Sequence, residues 1–171
     1  MSPLLFAYRK LELNHRRIEL QYRLMDLTRK LSDLQQYSAN IADGSVSMSD
    51  MMNTPSSMFG RQMMYMQYAH NTALVSANQN MMMMQPMIAM QMQQMPNPQY
   101  QAMYQQWIFR NLYNQARERV GKQEAKLLNE QEKQIQAEKA KIETQLKMIE
   151  QEYDSVKQGE QEAIKLMKPE Y

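Results

Sequence analysis

The side chains best suited to chemistry in this chain are thioethers. Fifteen of its twenty methionines fall between residues 48 and 95. Several stand three apart: Met63 and Met66, Met81 and Met84, Met84 and Met87, Met87 and Met90, Met92 and Met95. Thioether sulfur is a soft ligand for Cu(I), and copper-handling segments use such spacings. The supporting ligands are scarce. His15 and His70 are the only histidines, and Asp50 and Arg61 are the only formal charges from Gly44 to Phe109. Methionine is also a flexible filler of irregular apolar surfaces. The cluster therefore reads as an adaptable packing surface, able to receive helices of varied partners. No metal and no cofactor is expected.

Catalysis has no other foothold. There is no glycine-rich phosphate loop, no nucleophile elbow and no Glu/His metal spacing. The carboxylates sit among lysines at helical spacing, the pattern of a solvated coiled-coil face. His15 lies on an apolar side of its helix and reads as an interface residue rather than a base. The expectation is a protein that is not an enzyme.

The element that must position these residues is a heptad helix over Leu4 to Ile41. Phe6, Leu13, Leu20, Leu27, Leu34 and Ile41 form one apolar column at intervals of seven. Leu4, Leu11, Ile18 and Met25 form a second. A seven-residue repeat of this length marks a helix packed lengthwise on other helices. Between the columns runs a ladder of alternating charge: Arg9, Glu12, Arg16, Glu19, Arg23, Asp26, Lys30 and Asp33. Its steps of three and four place opposite charges side by side, worth about 0.2–0.5 kcal/mol per pair. At about 100° per residue the two apolar columns, widened by Leu24 and Leu31 on one side and Tyr8 and Tyr22 on the other, lie on opposed flanks. Such a helix needs at least two neighbours. Both columns are assigned to self-assembly.

Composition bounds the rest. A chain of 171 residues with a net charge of +2 suggests one domain without a basic patch, so nucleic acid is not the expected partner. Charge also balances locally, with seven basic and five acidic groups in residues 1–43 and twelve of each in 110–171. There is no cysteine, hence no disulfide framework. No run of eighteen apolar residues exists, so no membrane span is expected, and the apolar start is too short for a signal peptide. Four glycines and three phenylalanines disfavour sheet.

Three segments follow: an N-terminal heptad helix (1–43), a Met/Gln-rich middle (44–97) and a long C-terminal coiled-coil helix (98–171). Ser2 and Pro3 suit the start of the first helix and Gly44 its C′ position. Ser45 to Gly60 reads as loop, with Ser47 or Ser49 able to cap a short turn. A helix is expected over about 58–84, interrupted or kinked at Pro86. Asn97 and Pro98 suit N-cap and N1 of the last helix, which Pro169 ends. In it Leu128, Ile135, Ile142, Ile149 and Val156 repeat at seven, with Leu146 and Tyr153 in the adjoining column, as a coiled-coil seam. Glu132, Lys139 and Glu160 compromise that column. Trp107, Ile108, Phe109, Leu112 and Tyr113 should seal the core or a junction between subunits. A 70-residue helix is about 105 Å long. The first helix cannot cover it, so the expected fold is all-α, an extended helical hairpin or coiled coil with apolar area left for other copies.

This layout resembles the axial proteins of flagella and type III secretion systems, on residues Leu4 to Ile41 and Lys126 to Met167. The stretch from Met148 to Lys157 also looks like the tail of small bacterial coiled-coil proteins. The resemblance implies a polymerising bacterial subunit, exported without a leader to the cell surface or beyond. A cytoplasmic location is the alternative. The function expected is a structural subunit, associating with itself or with other helical subunits into a filament, tube or sheath. A soluble adaptor or chaperone holding a client on the methionine surface is the alternative.

Overall fold

The computed structural model describes residues 3–41 and 46–167. The described residues are all-α, without strands. Four helices follow in order: α1 (Pro3–Ile41), α2 (Met48–Met52), α3 (Ser56–Gln93) and α4 (Pro98–Met167). The chain divides into two compact units. Unit 1 is Met1–Ser32 with Glu132–Tyr171, and unit 2 is Asp33–Gln131. The sequence suggests three consecutive segments instead. The division differs because α1 and α4 each contribute to both units.

Unit 1 is an antiparallel helix pair. Its register is marked by ion pairs from Arg9 to Glu152, Lys10 to Glu160 and Arg23 to Glu138. Leu13 and Leu27 of α1 and Ile142 and Ile149 of α4 are buried between them. Each is worth about 1.5–3 kcal/mol when fully buried. Phe6 lies against Gly159, and the Arg17 guanidinium sits over the Tyr153 ring at 6.0 Å. These four are the only apolar side chains of unit 1 that are buried among the described residues. The core is thin.

Unit 2 packs the end of α1, then α2, α3 and the first half of α4. Arg61 bonds Glu124 at 2.7 Å and Gln131 at 2.6 Å, and His70 Nδ1 lies 2.7 Å from the Tyr113 hydroxyl. These contacts run α3 antiparallel to α4. The inner face of α3 is narrow: Gln62, Tyr65, Ala69, Ala73, Ala77 and Ile88 are buried. Three alanines at steps of four let neighbouring helices come close. Tyr37, Leu34 and Ile41 bring the end of α1 into the same core.

The turns follow local rules. Ser47 caps α2, and Asp50 returns a carboxylate to the Ser47 N–H at 2.8 Å, a complete capping box. Asn97 Oδ1 accepts from the Gln99 N–H at 2.9 Å, so Asn97 and Pro98 start α4 as the sequence predicts. Gln101 Nε2 donates back to the carbonyls of Met92, in the last turn of α3, and Met95, in the turn that follows it, at 3.1 and 3.0 Å.

Two expectations need correction. The segment from Ser56 to Gly60 is helix, not loop, and Pro86 does not interrupt α3, which runs on to Gln93, so of the interruption or kink expected there the interruption is overturned. Proline removes one helical hydrogen bond, but Ile88 just beyond it is buried and holds the following turns in place. The C′ position at Gly44, the cap at Ser2 and the stop at Pro169 lie outside the described residues.

Candidate self-association surfaces

The two apolar columns of α1 have different fates. Leu13, Leu27, Leu34 and Ile41 are buried within the chain, and Phe6 and Leu20 are half-buried. The assignment of this column to assembly is therefore corrected. Its apolar area is taken up by the chain's own helices. Asp at Leu27 would disrupt the fold before it tested any interface.

The other column is uncovered. Leu4, Leu11, Ile18 and Met25, with Tyr8 and Tyr22 between them, are 56–80% exposed. His15 is exposed on the same side. Six large apolar side chains in one stripe form a patch, unlike scattered surface leucines. One flank of the stripe is acidic, with Glu12, Glu19 and Asp26. Arg9 ties Glu12 at 2.7 Å while also bonding Glu152. Those two carboxylates, Glu152 first, push the Arg9 guanidinium above its ordinary pKa. Lys30 pairs with Asp26 at 2.7 Å.

The proposed seam of α4 faces inward. Leu128 is buried in unit 2; Ile142 and Ile149 are buried in unit 1, and Ile135, Leu146, Tyr153 and Val156 are half-buried. The charge at Glu160 is accommodated because Lys10 pairs with it. The aromatic run divides. Ile108 is buried, Phe109, Leu112 and Tyr113 are half-buried, but Trp107 is 62% exposed. Trp107 is thus no core residue. It stacks on Tyr104, with centroids 6.2 Å apart.

Unit 2 carries a second apolar surface. Met64, Tyr68, Val75, Met82, Met83, Met87 and Met90 of α3 are exposed, as are Tyr100, Met103 and Trp107 of α4. A cleft of about 720 Å³ opens here, lined by His70, Leu74, Met81, Met103, Trp107 and Tyr113 among others. Its size is that of a ligand or side-chain pocket. No group of three or more His, Cys, Asp or Glu side chains suited to a metal occurs among the described residues.

A polar cluster escaped the sequence reading. Tyr37 is fully buried, its ring 5.8 Å beneath the Arg61 guanidinium and its hydroxyl 3.4 Å from Glu124. Burial, then the Glu124 charge, pushes the Tyr37 phenol well above its usual range. Burial also raises Tyr65. Asp33, Gln36 and Asn40 bind Ser57, Asn53 and Thr54, tying the end of α1 to the segment before α3. The only sequence signal for this cluster was Arg61, the lone cation in a neutral segment.

Among the described residues no helix is long and apolar enough to cross a membrane. Comparison of the chain with protein-family models, curated proteins and solved structures finds no match.

Proposed function

We propose that this protein is a non-enzymatic structural subunit that associates with copies of itself into a filament, tube or sheath. The observation that carries the reading is the outer stripe of α1, six large apolar side chains left uncovered on a helix whose opposite face is already packed. The thin core of unit 1 gives that helix a reason to gain a further neighbour. Unit 2 carries its own exposed methionine and aromatic surface. A subunit with one self-complementary surface closes as a dimer, whereas two separate surfaces permit open assemblies. A bacterial origin, an axial role and export to the cell surface are part of the same proposal, supported by the resemblance of the two terminal helices.

The test pairs substitutions on the two faces of α1. Leu11→Asp combined with Ile18→Asp should abolish assembly in sedimentation velocity and negative-stain microscopy. Stability of the monomer should change by no more than about 1 kcal/mol, because both sites are exposed and each such substitution is worth up to about 0.5 kcal/mol. Leu13→Ala, on the buried face of the same helix, should instead cost about 2–5 kcal/mol. A wild-type chain that stays monomeric at high concentration would overturn the proposal.

A second reading has one observation in its favour, the cleft between α3 and α4 in unit 2. An adaptor or chaperone would seat a client's apolar side chain there. It predicts a small defined oligomer, and loss of client binding on Met103→Asp without loss of oligomer.

A further inference from the structure

The outer stripe of α1 has more order than exposure alone requires. Leu4, Tyr8, Leu11, His15, Ile18, Tyr22 and Met25 follow one another at alternating steps of four and three. That is the a/d spacing of a coiled coil. Tyr8, His15 and Tyr22 take the a positions, and Leu4, Leu11, Ile18 and Met25 the d positions. The buried residues Leu13 and Leu27 fall at f, on the far side of the helix. One helix therefore carries two seams, and the chain fills only one.

Resting on the self-association proposed above, we infer that this stripe is a parallel, in-register two-stranded seam with a second copy of the chain, in which the two His15 side chains meet in the central layer. Three features support it. The first is area. Two tyrosines of roughly 150–250 Å² each and four smaller aliphatic side chains, uncovered over more than half of their area, hold on the order of 700 Å², near the ~800 Å² per partner of a standard interface. The second is charge. The e positions are Glu12, Glu19 and Asp26, and the g positions are Asn14, Gln21 and Thr28. A parallel pair sets g against e of the other copy, so amides and a hydroxyl meet carboxylates. An antiparallel pair sets e against e, acid against acid, at three successive heptads. The third is His15 itself. A single polar residue at an a position fixes register at some cost in stability, and His15 occupies the middle one of the seven layers.

The absence of cysteine makes the test direct. Leu11→Cys, Ile18→Cys and, as a control on the charged column, Arg16→Cys are each introduced into the full chain. Circular dichroism checks that the fold is kept. Under mild oxidation Leu11→Cys and Ile18→Cys should each give disulfide dimers with themselves, about tenfold faster than Arg16→Cys. Cross-linking of neither variant with itself, but only in a mixture of Leu11→Cys with a further variant, Tyr22→Cys, would mean antiparallel pairing, which sets d against a, and would overturn the inference. Wild-type assembly without cross-linking at either stripe position would overturn it too, while leaving self-association standing. A monomer at every concentration would overturn both.

Discussion

Phe6 of α1 occupies the space that a side chain at Gly159 of α4 would need. A Cβ built at Gly159 would lie 3.0 Å from Phe6 Cε1 and 3.3 Å from Cζ. The glycine is a hole for an aromatic knob, placed where the α1–α4 pair nears the N-terminal end of α1. In a solitary helix, glycine to alanine gains about 1 kcal/mol. Here Gly159→Ala should fall short of that gain, and Gly159→Leu should be plainly destabilising. In a Phe6→Ala background the gain should reappear. Urea unfolding of the four chains gives the coupling, expected at about 0.5–3 kcal/mol for groups in contact.

Glu124 and Glu118 lie six residues apart on α4 and should respond very differently to removal. Glu124 is partly buried and serves both Arg61 and Tyr37. Glu118 pairs with Lys122 in solvent, and that lysine holds its carboxyl below the usual carboxylate range. Glu124→Ala should cost about 1–3 kcal/mol, since it takes the carboxylate from Arg61 Nε and from the buried Tyr37 hydroxyl, leaving Arg61 only its Gln131 bond. Glu118→Ala should leave stability almost unchanged, because solvent screens its pair with Lys122. Chemical denaturation of both variants checks the contrast.

Tyr37 and Tyr65 give the fold an alkaline limit. Both phenols sit above their ordinary value of 10.0, chiefly through burial. Their contribution is fully present below that value. It is lost as the pH rises through the raised folded-state values, because the unfolded chain ionises first. Unfolding should track the release of tyrosinate absorbance. The Tyr65 hydroxyl is buried without a partner among the described residues. Tyr65→Phe should therefore add about 1 kcal/mol at neutral pH and raise the alkaline midpoint.

Pro86 stands within α3, exposed, where a hydrogen-bonded residue would serve better. Pro86→Ala should stabilise the protein by about 1–3 kcal/mol. Thermal melts with helical content followed by circular dichroism would show it. No gain would mean that the proline sets a bend the packing requires.

Helix identity was legible because heptads and helix-forming residues agree along most of the chain. The start of α4 at Asn97-Pro98 could be read for the same reason, since a cap is a local device. The use of each α1 face could not be read. Leu13 and Leu11 are the same residue type on opposed sides, and which is covered depends on the partner helix: Ile142, Ile149 and Gly159 of α4 meet the Leu13 face, and the ion pairs from Arg9, Lys10 and Arg23 only add to that fit. Trp107 separates from its run for a related reason: an apolar run says that burial is favourable, not which member obtains it within the chain, so Trp107 is left only the junction between subunits of the two places expected for it. The Tyr37, Arg61 and Glu124 cluster joins three helices and has no local signature. Helix α3 runs past Pro86 because tertiary contacts at Ile88 outweigh the local penalty.

The alanine rungs at positions 69, 73 and 77 leave unit 2 unusually brittle toward mutational growth. Each is wholly enclosed, so one added methylene has nowhere to go and must prise the helices apart. In a saturation library these three positions should tolerate only glycine or serine. The exposed methionines on the outer side of the same helix should accept almost anything without loss of the fold, whatever happens to assembly.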